Sequence, residues 1–156
     1  MATNPTTSAT ANAPKAEVLD LKIQMVSAGH HKHVLAHTEL SSFNVHCYAP
    51  KGGENGMHAH MEEDHVFLVL QGEAQFVTPE GPLPVVRKHQ ALFLPKGAFY
   101  SFSNEGTENL VLARFGANTP GTGGGRRLDP NGQYIPGRAN KEGAVPPHFI
   151  PGKFFE

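Results

Sequence analysis

Between Ser41 and Phe115 turn-forming residues interrupt the chain about every eight to twelve positions, and no stretch between them keeps a 3.6-residue apolar period. That rhythm disfavours a helical bundle and suits a barrel or sandwich of antiparallel strands. Phe43, Val45 and Cys47 alternate with Asn44, His46 and Tyr48, and then Pro50-Lys51-Gly52-Gly53 turns the chain. Val66–Leu70 is a continuous apolar run, the pattern of a strand buried on both faces. Gln71-Gly72 breaks it and Ala74–Thr78 resumes, with Pro79-Glu80-Gly81-Pro82 as the tight turn of a hairpin. Ala91–Leu94, Ala98–Phe102 and Leu110–Phe115 complete the strands.

The flanks read differently. Residues 1–17 carry Ala, Thr, Asn and Pro with no periodicity and are expected to be a disordered tail. Residues 18–118 are expected to form the barrel, opened by Val18–Ser27 as a first short strand or a lead-in helix. Residues 119–156 begin with a Gly-rich segment and are expected to be an extended tail. Its contacts, where it packs, would come from Tyr134, Ile135, Phe149, Ile150, Phe154 and Phe155. Thirteen basic residues against fourteen acidic give a formal charge of -1, with no basic field for nucleic acid or an anionic membrane. No apolar run approaches the roughly 18 residues of a membrane helix. The first seventeen residues resemble neither a secretory signal nor a transit peptide, so a cytoplasmic location is expected. The one cysteine, Cys47, excludes an internal disulfide and reads as a small buried hydrophobe.

Ten histidines are more than such a chain needs, and their placement carries the chemistry. His58 and His60 are two apart, so on a strand they project from one face and bring two imidazoles toward one metal ion. Gly52, His58, His60 and Gly72 stand at the spacings of Gly, five residues, His-x-His, then Glu and a later Gly. His65 fills the Glu position. A second stretch, His89 to Asn104, has Pro95, Gly97 and Asn104 in place, with His89 where a Gly and Tyr100 where a His would stand. Together these stretches resemble the two motifs of the cupin superfamily. The resemblance implies an antiparallel double-stranded β-helix, or jelly-roll barrel, and a metal site at its mouth. It further implies a homodimer formed by strand exchange, for which Val18–Ser27 is the candidate.

The expected metal ligands are therefore His58, His60 and His65. Asp64 is an alternative to His65: neighbours on a strand face opposite ways, so only one enters the barrel, and His65 is preferred. Three neutral imidazoles suit a divalent transition metal, with Fe(II) favoured and Zn, Ni, Mn or Cu compatible. Tyr100 is the catalytic candidate, as general acid, phenolate ligand or hydrogen-bonding wall. His46, Phe67, Val69, Phe93, Phe102 and Arg114 are the candidate substrate pocket; His46 enters it only if its strand face points inward. Arg114, in an apolar strand, either sits at an edge or anchors an anionic group. His30, His31, His33 and His37 read as a solvated loop, and Arg126 and Arg127 as solvated. The function so implied is a small metal-dependent enzyme of the oxygenase type acting on a compact organic molecule. The alternative is a small-ligand binding protein, metal-free or with a structural metal.

Overall fold

The computed structural model describes residues 15–52, 56–136 and 145–156. Most of the expected N-terminal tail lies outside them, and residues 15–17 are exposed. Among the described residues there is no helix, so the fold is all-β. Thirteen strands follow in order: β1 (Ile23–Ala28), β2 (His30–His37), β3 (Ser41–Tyr48), β4 (Ala59–His60), β5 (Glu63–Gln71), β6 (Glu73–Thr78) and β7 (Gly81–Pro82). Then come β8 (Val86–Arg87), β9 (Ala91–Leu94), β10 (Ser101–Ser103), β11 (Leu110–Asn118), β12 (Arg127–Leu128) and β13 (His148–Phe155).

The largest sheet is antiparallel in the order β2-β3-β11-β5-β9. A second sheet joins β10, β6 and β7, with β8 also on β6. The inner faces of the two sheets close on one cluster, led by Tyr48, Phe67, Phe76, Tyr100, Phe102, Leu110 and Leu112. Phe67 and Phe76 are 2% and 0% exposed, and each contributes roughly 1.5–3 kcal/mol by leaving water. Isolated bridges Gly52↔Asn104 and His58↔Tyr100 tie the motif stretches together. Gly72, with φ 74°, makes the turn between β5 and β6, and a methyl there would meet the Asn109 carbonyl oxygen at 2.8 Å.

Four expectations change. Val66–Leu70 is buried at alternate positions only: Phe67 and Val69 enter the barrel, while Val66, Leu68 and Leu70 face outward and are half-buried. The strand lies in an antiparallel sheet whose outer face is only partly covered, so one face suffices for the core. Phe93 is 61% exposed on the outer face of β9 and does not line the interior. The histidine-rich stretch is strand β2, paired to β3, not a loop. Its apolar signal is weak because it is an edge strand whose side chains are mostly exposed. The C-terminal segment supplies two strands. Short β12 pairs β4, and β13 pairs β1 antiparallel, with Ile23 opposite Phe155. The β1–β13 pair covers the outer face of the large sheet, closing Ile23, Val26, Val45, Cys47 and Val111 into a second cluster.

Candidate metal centre

Strand β5 begins inside the barrel. Its two-residue alternation sends Glu63, His65, Phe67 and Val69 inward, with Asp64 outward, where its Oδ1 accepts the Lys96 backbone N–H at 2.7 Å. His65 is 1% exposed. Just before it, β4 carries His60, held by β12 through the Arg127↔His60 pair. His58 bridges Tyr100, each backbone N–H donating to the other's carbonyl at 3.0 Å. The sequence thus folds four histidine and glutamate side chains and one tyrosine toward one end of the barrel.

His60, Glu63 and His65 each offer a donor atom, all within 4.8 Å of one another. The His60 and His65 rings lie 4.1 Å apart, centre to centre. His65 Nε2 is 2.8 Å from Glu63 Oε2, and His60 Nδ1 is 3.5 Å from the same oxygen. His60 Nδ1 is buried with no hydrogen-bond partner, and a buried lone pair without a donor is what a metal ion satisfies. The chemistry of the set, two imidazoles and a carboxylate, fits a first-row transition metal. His58 stands beside it, 5.1 Å ring to ring from His60, with its Nδ1 on the Gly56 carbonyl at 2.8 Å.

Burial dominates the electrostatics. It lowers His60 to about 4 and lowers His65 too, so both imidazoles are neutral at pH 7, the form that binds metal. Burial pushes the Glu63 carboxyl up, but contacts with His60, His65 and Arg114 outweigh it and hold the group well below the usual carboxylate range. The hydroxyl of Ser42 donates to Glu63 Oε1 at 3.0 Å, and Arg114 Nη2 donates to Oε2 at 2.6 Å. Arg114 Nη2 also contacts His65 Nε2. Gly116, opposite His65 on β11, leaves the space that the Glu63 carboxylate fills: a methyl there would collide with Glu63 Oε1 and lie 2.6 Å from Ser42 Oγ.

Tyr100 is 3% exposed, and its hydroxyl lies 3.4 Å from His65 Nδ1. Burial raises its pKa, so it stands as a neutral phenol. Phe67, Val69 and Phe102 belong to the packed barrel core. His46 does share the inward face: Nδ1 is 3.2 Å from the Tyr48 hydroxyl, and Nε2 is buried without a partner. Burial first, then Arg114, lowers His46 to about 3. Arg126 is exposed, as expected, and with Glu62 and Tyr134 lines a groove of about 590 Å³, whereas Arg127 is half-buried on β12, where its backbone pairs with that of His60.

The residue that sequence reasoning missed is Glu63. The motif spacing sends the search for an acid to positions 64 and 65, whereas strand alternation counted back from His65 and Phe67 would have found it.

Residues 44–114 match a family described as a cupin domain. The fold is similar to that of a Klebsiella pneumoniae protein with a double-stranded β-helix domain, at TM-score 0.59 and 20% identity over 70% of this chain and 95% of that one. It is also similar to a Streptococcus pyogenes protein of unknown function, at TM-score 0.55 and 20% identity over 69% and 91%. The cupin domain of Schizosaccharomyces pombe Cnp3 aligns at TM-score 0.53 and 22% identity over 57% and 64%. No curated protein matches the chain.

Proposed function

This chain belongs to the cupin superfamily, and on that premise we propose that it is a small metal-dependent enzyme of the oxygenase type, acting on a compact organic molecule at the barrel mouth. His60, Glu63 and His65 would hold one divalent transition metal, with His58 beside them. The observation that carries this reading is the convergence of three donors within 4.8 Å around a buried imidazole nitrogen that lacks a partner. Two histidines and one carboxylate favour Fe(II); Zn, Ni, Mn and Cu compete for the same set. When bound, such an ion supplies Lewis acidity and, as Fe(II), chemistry with dioxygen.

The chain's own residues do the rest. Glu63 supplies the one negative charge that three histidines would lack. Tyr100, a neutral hydroxyl against His65 Nδ1, fixes the ring's orientation and tautomer and can release a proton toward a molecule at the mouth. A homodimer would add through the edge of β1 that β13 does not occupy.

Elemental analysis after metal-supplemented expression tests the reading. About one equivalent of a transition metal per chain is expected, and His60→Ala should lose it while the far-ultraviolet dichroism stays that of the parent. Less than about a tenth of an equivalent overturns the enzyme reading, since site occupancy is its premise.

A second reading, a metal-free small-ligand binding protein, draws on one feature: Arg114 already neutralises Glu63 at 2.6 Å. The same analysis separates the two.

A further inference from the structure

We propose that Arg114 is an exchangeable counter-cation: it neutralises Glu63 in the metal-free protein, must leave Glu63 and His65 for a divalent ion to bind them, and then presents its guanidinium to a small carboxylate. The inference rests on the metal reading above and adds a role for a residue outside the donor set.

The geometry is specific. Arg114 sits on the inward face of β11 between Leu112 and Gly116, with 13% of its side chain exposed. Glu63 Oε2 is the oxygen that approaches both His60 Nδ1, at 3.5 Å, and His65 Nε2, at 2.8 Å. Arg114 Nη2 lies on that same oxygen and also contacts His65 Nε2. A cation drawing on Glu63 and His65 through these atoms would fall where the guanidinium already is. Arginine cannot shed its charge, so the conflict cannot be relieved by deprotonation. One of the two cations must move. The Arg side chain has the reach to swing on its stem, and its other nitrogen, Nη1, makes only a long contact of 3.5 Å to Ser42 Oγ.

The exchange leaves every charge with a counter-charge, although the site, neutral before, gains one net positive charge from the divalent ion and the carboxylate together. Glu63 passes from a guanidinium to a metal ion, and Arg114 passes from Glu63 to an incoming carboxylate. A freed guanidinium presents parallel N–H donors that match a carboxylate in bidentate fashion. By linkage, metal and carboxylate then favour each other's binding.

Cobalt(II) titration of the full-length metal-free protein, followed by ligand-field absorbance, reads the exchange without any activity. Arg114→Gln is expected to bind Co2+ at least tenfold more tightly than the parent, and Arg114→Lys to fall between them. Acetate is expected to tighten Co2+ binding to the parent and leave Arg114→Gln unaffected. Parental or weaker affinity in Arg114→Gln overturns the proposal and makes Arg114 a positioning group for Glu63. If Arg114→Gln does not fold by circular dichroism, Arg114→Lys carries the same test of sign. No acetate effect on the parent overturns the carboxylate half. A parent and a folded variant that both fail to bind Co2+ overturn the metal reading itself, a result distinguishable from equal binding by both.

Discussion

At Gly116 the absence of a side chain decides where Glu63 lies. The carboxylate occupies the volume a Cβ would take, which lets it meet Ser42, Arg114 and both histidines at once. Gly116→Ala is therefore expected to push Glu63 aside, costing about 1–3 kcal/mol of stability by overpacking. It should also weaken metal binding, because one donor of three is displaced. Urea unfolding and Co2+ titration check both effects, and a variant like the parent in both would contradict the assignment. At this scale the histidines were legible, because His58 and His60 stand at strand spacing and His65 fills a motif position. Arg114 also stood out, as a cation in an apolar strand, but Glu63 and its pairing with that arginine did not. Their pairing joins residues 51 positions apart, and no local pattern encodes it. His89 marks the same limit: it holds φ 68° where the motif has Gly, so the backbone kept a left-handed turn that its residue type did not advertise.

Among the strands, the β1–β13 pair is the one whose role depends most on the rest of the chain. Val26, Ile23 and Phe155 close the outer cluster over Val45, Cys47 and Val111. Burial there also raises the Cys47 thiol to about 11. Deleting Val145–Glu156 removes β13 and opens Ile23 and Val26 to water, a loss of at least about 2 kcal/mol at the usual worth of a buried aliphatic side chain. A lower urea midpoint with increased binding of a hydrophobic dye is expected, and an unchanged midpoint would refute the role given to β13. The turns and central strands could be read from breaker spacing. Strand β1 could not be told from a helix, because its buried positions, Ile23 and Val26, stand three apart across register shifts between Gln24 and Val26 and between Val26 and Ala28. Strand β13 was hidden by Pro151 and by Gly152, at φ 68°, which mark an irregular edge strand.

For the molecule as a whole, burying a polar cluster in an aromatic-lined barrel couples stability to pH. His46, lowered to about 3, His60, lowered to about 4, and His65, also lowered, are neutral inside the fold, whereas the unfolded chain protonates them near pH 6.5. The unfolded state thus binds more protons through this range, so stability falls as pH drops from about 6.5 toward about 4. Glu63, whose carboxyl is held low, adds a further loss below its ordinary value as the unfolded chain takes up that proton too. Urea midpoints of the metal-free protein at about pH 7.5 and about pH 5 should show the decrease, and an equal or higher midpoint at the lower pH would contradict it. The sequence by itself determined the antiparallel barrel, its turns and the histidine end, since these follow from two-residue alternation and from breakers at short range. Only the tertiary structure decided that Glu63 joins His60 and His65, that Arg114 neutralises it, that Phe93 faces outward and that the chain's two ends pair. Each of these depends on which strands lie side by side, and that is settled by packing among residues far apart in the chain.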